Sequence, residues 1–211
     1  DDEDYLWLKD YLQLDGMVYK LVPIKNPPSK DGGPMDMGQI DADKMYDIVM
    51  KWDWGNSESE KIYHDPETRR NSITYRTNLS RLMNELIAEG KIDKAKNVIN
   101  LAITKMPLDK FGYYSLVEPF AGGYYKVGET AKAHDLLDKL VNKYRENLDY
   151  YKTLTPSDQT DLAIDIITDI ERYRSLLHVM KENNDKVFYD KHKTTFNTYV
   201  NIFERFGREK E

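Results

Sequence analysis

Cysteine is absent from this 211-residue chain, and so are long apolar runs. The absence of cysteine excludes disulfide bonds, zinc–thiolate centres and thiol catalysis. No stretch approaches the ~20 apolar residues needed to cross a bilayer, and no apolar core of a signal peptide is present. The chain begins at Asp1 rather than at an initiator methionine, which predicts a processed protein or a fragment of a longer one.

Basic clusters and the motifs of common enzymes are also missing. The net charge is −6, and no lysine or arginine cluster forms the basic face that a nucleic-acid binder needs. No glycine-rich phosphate loop, GxSxG elbow or HExxH pair occurs. We therefore predict that this chain is not an enzyme, holds no cofactor or metal and binds no nucleic acid.

Two acidic patterns could nevertheless hold a cation. Asp161, Asp165 and Asp169 are spaced so that they line one face of a continuous helix, predicted from about Gln159 to Lys181. Asp41-Ala42-Asp43 has the DxD form that nucleotide-sugar transferases use to hold a metal. We favour a solvated stripe for the first and a helix N-cap for the second. An enzyme with a cryptic acidic metal site is the alternative.

The pattern of apolar and turn residues predicts two regions. Residues 1–40 are predicted to form an irregular N-terminal arm, with an extended segment from Met17 to Ile24. Within this arm, we expect Trp7, Leu8 and Leu12 to be buried against the helices. Residues 41–211 show almost continuous helical periodicity, so the predicted fold class is all-α.

An internal repeat lies within the helical region. Two segments align when Gly90 is placed on Gly128, an offset of 38 residues. A small residue, Ala95 or Ala133, then follows each glycine and lets the second helix approach the first closely. Each glycine provides the positive-φ turn that reverses the chain. Such helix hairpins leave one face unburied, so neighbouring pairs must stack to complete the core.

This segment resembles the tetratricopeptide family. The repeats are clearest at residues 78–107 and 116–145, although the second lacks the closing proline and the period exceeds the usual 34 residues. The repeat-defining positions are Leu82, Leu86, Gly90, Ala95, Ala102, Pro107, Tyr124, Gly128 and Ala133. The resemblance implies a tetratricopeptide-like stack of antiparallel helix hairpins.

Tyrosine is unusually frequent, with sixteen in the chain. A tyrosine ring offers a large apolar area together with a hydroxyl group, which suits a groove for a peptide or a glycan. The candidate groove residues are Tyr113, Tyr114 and Tyr151. The alternative is that these rings pack between helices, as expected for Tyr124.

A second resemblance spans nearly the whole chain and begins in the arm. The order of its motifs is Leu12 to Gly16, Pro23-Ile24, Lys44-Met45-Tyr46, Trp54-Gly55-Asn56 and Arg69-Arg70. This order resembles the C-terminal soluble region of bacterial multi-pass membrane proteins of the uncharacterised glycosyltransferase-like, protein O-mannosyltransferase-related family. The family's presumed catalytic acids lie in the membrane part, so none is carried over to this chain.

The resemblance implies a scaffold or interaction domain on the periplasmic face of the inner membrane. The chain would meet the membrane only through an N-terminal part that is absent here, and its partner would be a protein, a peptide or a glycan acceptor. A free-standing peptide-binding tetratricopeptide adaptor, which could be cytoplasmic, is the main alternative.

Overall fold

The computed structural model describes residues 6–25 and 38–206. These residues are mostly helical, with packed antiparallel helix pairs and a small two-stranded hairpin near the N-terminus, which confirms the predicted fold class. The chain divides into two compact units, residues 1–116 and 117–211. Within the described ranges, no helix is both long enough and apolar enough to span a membrane.

The first unit opens with a 3-10 helix, Leu6–Tyr11, and a β-hairpin. Strand β1 (Leu12–Asp15) pairs antiparallel with strand β2 (Val18–Leu21). Gly16 has a φ of +71° at the first of the two turn positions, the conformation that a type II′ turn requires there. The arm is therefore more regular than predicted, because the extended segment after Gly16 pairs with the residues before it.

Four α-helices complete the described part of the first unit. They are α1 (Ala42–Val49), α2 (Pro66–Ala88), α3 (Ile92–Lys105) and α4 (Leu108–Phe111). Asp41 caps α1 by accepting a hydrogen bond from the Lys44 N–H at 3.1 Å. Pro66 opens α2, as expected of a residue that lacks an N–H and has a fixed φ.

The hairpin packs on this helical framework through β1. Leu12 and Leu14 of β1 are buried, whereas all four residues of β2 are exposed. Asn78 Nδ2 of α2 donates to the Gly16 carbonyl at 2.8 Å. The expectation that Trp7 is buried is wrong, since 75% of it is exposed. Its 3-10 helix precedes a strand that has only one covered face.

Helices α2 and α3 form the core of the first unit as an antiparallel pair. The buried repeat positions in this pair are Leu82, Leu86, Ala95 and Ala102. Ala95 is fully buried, and its N–H donates to the Lys91 carbonyl at 3.0 Å in the first turn of α3. Pro107 follows the pair and serves as the N-cap residue of α4.

Arg76 is the largest fully buried side chain in the described part of the protein. Its guanidinium donates from Nη2 to the Met106 carbonyl at 2.9 Å and from Nη1 to the Gly112 carbonyl. Burial lowers its pKa to about 10, so the side chain stays charged at neutral pH. Arg76 therefore fastens the turn after α3 and the end of α4 to α2.

The second unit contains five α-helices in its described part. They are α5 (Glu118–Lys126), α6 (Thr130–Lys152), α7 (Pro156–Asp161), α8 (Ala163–Glu182) and α9 (Lys186–Ile202). Helix α6 packs against α5, α8 and α9, and α8 pairs with α9. Tyr124, Gly128 and Ala133 lie where α5 meets α6, and Tyr124 and Ala133 are buried.

The single long helix predicted from Gln159 to Lys181 is wrong. Its first turns form α7, which ends at Asp161, and Leu162 separates α7 from α8. Hydrogen bonds between α7 and residues outside it hold this helix in place. Gln159 Nε2 donates to the Tyr151 carbonyl at 2.8 Å, and Arg205 Nη2 donates to the Pro156 carbonyl at 3.1 Å. Because neither glycine nor proline marks Leu162, local sequence did not reveal the break.

The turns at Gly90 and Gly128 have the same hydrogen-bond pattern. At Gly90, the Lys91 N–H donates to the Leu86 carbonyl at 2.8 Å, and the Gly90 N–H donates to the Ile87 carbonyl at 3.0 Å. At Gly128, the equivalent bonds have the same lengths. Both glycines have positive φ values, +74° and +79°, as the Schellman motif requires.

A third turn of this type, between α8 and α9, uses Asn184 in place of glycine. Asn184 has a φ of +58°, and the Asp185 N–H donates to the Met180 carbonyl at 3.0 Å. The Asn184 N–H donates to the Lys181 carbonyl, which completes the pattern. The repeat search missed this turn because it lacks the glycine and the small residue after it.

The Asn184→Gly substitution is expected to stabilise the second unit by about 0.5 kcal/mol, because glycine adopts positive φ without a Cβ clash. The converse change, Gly128→Asn, is expected to destabilise the unit by a similar amount. Urea unfolding followed by circular dichroism measures both. A loss of stability in Asn184→Gly would show that the added freedom of the unfolded chain outweighs the relief of strain.

Candidate functional site

The three tyrosines predicted to line a groove lie in different parts of the fold. Tyr113 and Tyr114 come near the end of the first unit, and Tyr113 is 41% exposed with a φ of +48°. Tyr151 lies in the last turns of α6 in the second unit and is half-buried. A groove shared by all three remains a prediction.

Tyr151 does belong to a group of polar side chains within the second unit, which we call the α6–α8 polar cluster. Its members are Glu118 of α5, Tyr144, Asn147 and Tyr151 of α6, and Asp165, Asp169, Arg172 and Ser175 of α8. Residues three or four positions apart share one face of a helix, which places the α6 and α8 members along the contact between the two helices. The cluster combines one predicted groove residue with two of the predicted acidic stripe.

The inner part of the cluster centres on the buried carboxyl group of Glu118. Tyr144 Oη donates to Glu118 Oε1 at 2.8 Å, and Ser175 Oγ donates to Glu118 Oε2 at 3.2 Å. Arg172 Nη1 lies 4.0 Å from the second oxygen. Burial raises the pKa of Glu118, although these three partners oppose that change. Both oxygens are already engaged away from solvent, so this carboxyl group holds α5, α6 and α8 together.

The outer part of the cluster is open to solvent. Asn147 Nδ2 donates to Asp169 Oδ2 at 2.9 Å. Burial, together with the charge of Asp165, raises the pKa of Asp169. Burial and the Asp169 carboxylate in turn raise the pKa of Tyr151 to about 12, so its phenol remains a hydrogen-bond donor. This surface offers an aromatic ring, an amide and two carboxylates to a ligand.

The acidic stripe does not assemble a metal centre in the described part of the chain. The break at Leu162 puts Asp161 in α7, while Asp165 and Asp169 remain in α8. The one-helix geometry that we predicted for the three aspartates is therefore wrong. Among the described residues, no group of three or more His, Cys, Asp or Glu side chains could hold a metal ion.

The DxD pattern at residues 41–43 divides between two structural roles. Asp41 caps α1, and its pKa is lowered chiefly by the hydrogen bond from the Lys44 side chain. Asp43 lies 2.6 Å from both Lys91 Nζ and Lys94 Nζ, whose hydrogen bonds lower its pKa to about 2. The two carboxylates therefore serve different partners, as expected for capping and surface ion pairing.

A second polar group surrounds the turn between α8 and α9, and no sequence pattern predicted it. Asp185 accepts hydrogen bonds from His134 and from Tyr125 Oη, the latter at 2.9 Å. The ring of His134 stacks on Phe188 with 4.0 Å between centroids. Burial acts to raise the pKa of Asp185, but these hydrogen bonds hold it below the usual value. His134 and Asp185 are 51 residues apart, so no local spacing could reveal the pair.

His192 of α9 is expected to make the stability of the second unit depend on pH. It is buried, and its Nε2 lies 3.0 Å from Asp138 Oδ1. Burial lowers its pKa below the usual 6.5, against the opposing pull of Asp138. At pH values below 6.5 the unfolded chain therefore binds a proton more readily than the folded chain. This contribution to stability is present above 6.5 and is lost as the pH falls.

We expect the free energy of unfolding to fall between about pH 7.5 and about pH 5.5, and to fall less in His192→Gln. Chemical unfolding followed by circular dichroism at a series of pH values measures the difference. His178→Gln, a change at an exposed histidine of α8, is the control and should follow the wild type. Equal pH dependence in wild type and His192→Gln would contradict the assignment.

Comparison with known proteins gives one match. Residues 1–44 match the family model described as TMEM260-associated domain 2. TMEM260 is a membrane protein related to protein O-mannosyltransferases. Searches of curated proteins and of solved structures returned no significant match. The matched segment contains the 3-10 helix, the hairpin and the start of α1, so the predicted relation to O-mannosyltransferase-related membrane proteins is supported over these 44 residues.

Proposed function

We propose that this chain is a non-catalytic interaction module of a membrane glycosyltransferase-like protein. The match of residues 1–44 to a domain associated with such a protein carries the proposal. The matched arm is fastened to α2, because Asn78 donates to the Gly16 carbonyl and Arg81 Nη2 donates to the Gly38 carbonyl at 2.9 Å. The helices of the first unit would thus be held in a fixed relation to whatever the arm joins.

The helical part of the module is proposed to be of the tetratricopeptide type. The identical bonding of the turns at Gly90 and Gly128 supports this, as does the complete burial of Ala95 and Ala133 at equivalent positions. Helix pairs of this type serve as surfaces for other polypeptides. Assembly of a complex or presentation of an acceptor is the role that such a surface would have.

The outer part of the α6–α8 polar cluster is the proposed contact region for a peptide or a glycan. Tyr150 is 59% exposed, and its ring centroid lies 5.8 Å from that of Tyr151. Adjacent carboxylate and amide groups of Asp169 and Asn147 can accept and donate hydrogen bonds to hydroxyl or peptide groups. Aromatic rings beside such polar groups are common where proteins bind partners.

A non-catalytic role is favoured by the way the acidic groups are used. Glu118, the carboxyl group with the deepest burial, has both oxygens occupied by other side chains. Within the described residues the other acids do not converge on one point in sufficient number to hold a metal. Catalysis would then belong to the membrane part of the parent protein, and the module would lie on its periplasmic face.

The gene that encodes the chain provides the first test. Several hydrophobic spans of about 20 residues are expected upstream of Asp1 in the same reading frame. An initiator codon within a few codons of Asp1 would contradict the proposal and favour a free-standing cytoplasmic adaptor. Biochemically, the separately expressed chain should co-purify with the membrane part and should transfer no sugar by itself; sugar transfer by the isolated chain would overturn the non-catalytic assignment.

A further inference from the structure

Strand β1 lies in the middle of a small sheet, and its two neighbours differ in kind. On one side it pairs with β2. On the other side it exchanges main-chain hydrogen bonds with Gln39. The Leu14 N–H donates to the Gln39 carbonyl at 2.7 Å, and the Gln39 N–H donates to the Leu12 carbonyl at 2.9 Å. Among the residues that the structure describes, strand β2 therefore forms an outer edge of the sheet.

The pairing pattern shows which groups of β2 face outward. The Val22 N–H donates to the Tyr11 carbonyl at 2.8 Å, so that pair is a hydrogen-bonded one. Such pairs alternate along an antiparallel ladder, which leaves Tyr19 and Leu21 in the non-bonded positions. Their N–H and C=O groups point away from β1. Within the described ranges, none of these four main-chain groups has a hydrogen-bond partner.

The side chains along this edge are unusually apolar for an exposed strand. Val18 is 63% exposed, Leu21 is 57% exposed and Ile24 is 71% exposed. Lys20 lies between them and forms no ion pair with any residue that the structure describes. Exposed edges with apolar side chains are sites where further strands add, and natural proteins usually cover or charge them.

We propose that the outer edge of β2 binds an extended polypeptide segment of a partner protein by strand addition. Main-chain donors and acceptors in alternation along one line are satisfied by another strand, and not by a helix or by lipid. The segment would carry apolar side chains on the face shared with Tyr19 and Leu21. On the opposite face, a carboxylate beside Lys20 would complement its charge. The proposal rests on the interaction role proposed above and assigns it a second surface.

A displayed library of ten-residue peptides, selected on the full chain, supplies the probe. The selected peptides are expected to alternate apolar residues and to include acidic ones. A synthetic peptide of the selected sequence should bind Leu21→Pro at least about tenfold more weakly than wild type, because proline removes one outward N–H. Leu21→Ala keeps that N–H and should lose less. Equal binding to Leu21→Pro and wild type would overturn the proposal.

Amide hydrogen exchange separates strand addition from other modes of binding. In the free chain, the amides of Tyr19 and Leu21 should exchange faster than that of Lys20, which bonds to β1. Bound peptide should slow exchange at Tyr19 and Leu21 and leave Lys20 unchanged. Slow exchange at Tyr19 and Leu21 before any peptide is added would mean that the edge is already occupied, which overturns the proposal. Lys20→Glu keeps every main-chain group and should weaken binding of the acidic peptide. This variant replaces Leu21→Pro in the test if Leu21→Pro does not fold.

Two further outcomes would assign the edge to a different occupant. Flotation of the chain with phosphatidylcholine and phosphatidylglycerol vesicles, abolished by Leu21→Asp, would indicate a lipid surface instead. A dimer in sedimentation experiments that Leu21→Pro dissociates would indicate pairing between two copies. Failure of peptide binding while the chain still co-purifies with the membrane part would overturn the strand-addition proposal and leave the proposed function standing.

Discussion

Replacing Arg76 with methionine is expected to destabilise the first unit by about 2–6 kcal/mol, at roughly 1–3 kcal/mol for each of the two carbonyl groups that lose their donor. Methionine fills similar space but donates no hydrogen bond, so the buried carbonyl group of Met106 and the partly buried carbonyl group of Gly112 would lose their donor. The stability of Arg76→Lys should lie between that of the wild type and that of Arg76→Met, because a compact ammonium group cannot reach both carbonyls as the planar guanidinium does.

The measurement can be confined to the first unit. All three tryptophans, Trp7, Trp52 and Trp54, belong to this unit, so tryptophan fluorescence during urea unfolding reports on it alone. Arg70→Met on the exposed surface of the same helix is the matched control, and it should change stability by less than about 0.5 kcal/mol. If Arg76→Met were as stable as Arg70→Met, the hydrogen bonds of Arg76 would not stabilise the first unit as the geometry indicates.

Enlarging Ala133 is expected to have the second largest effect. Ala133 is fully buried where α6 meets α5, so Ala133→Leu would force the two helices apart and cost about 2–3 kcal/mol. Ala95→Leu should have a similar effect on the pairing of α2 with α3. Ala95 lies in the first unit and Ala133 in the second.

Ala131→Leu is the control for the second unit. Ala131 lies two residues before Ala133 on the same helix but is exposed, so the larger side chain should be tolerated. Circular dichroism follows the helices of both units, and tryptophan fluorescence follows the first unit alone, so a change seen by circular dichroism and not by fluorescence belongs to the second unit. Equal stability of Ala133→Leu and Ala131→Leu would show that close helix approach is not required at this position, contrary to the repeat interpretation.

The helices were the most predictable part of the structure. Pro66 and Gly90 mark the ends of α2 through local chemistry, namely a missing N–H and a positive φ, and local chemistry can be recognised in a sequence. The break at Leu162 could not be recognised in this way. It coincides with hydrogen bonds that join α7 to other parts of the second unit, from Gln159 to the Tyr151 carbonyl and from Arg205 to Gln159 Oε1. The second of these joins residues 46 positions apart, which no short pattern records.

The polar sites were less predictable than the helices. Arg76 had one usable signal, since Ser72, Arg76, Leu79 and Met83 recur at spacings of four and three and therefore share a buried face. Asp165 and Asp169 were predicted, together with Asp161, to share one helix face, but nothing in the sequence placed Tyr151 beside them. That proximity comes from the packing of α6 on α8, which is a tertiary property.

The hydrogen bonds that hold the hairpin bear on how the matched segment, residues 1–44, could be inherited. Residues 1–44 are recognisable as a unit of sequence, yet the carbonyl groups of Gly16 and Gly38 receive their donors from Asn78 and Arg81, well beyond residue 44. The segment and α2 therefore form one unit of folding. A graft of the segment onto an unrelated protein would separate it from these donors, and recombination would have to move residues 1–88 together to preserve the hairpin.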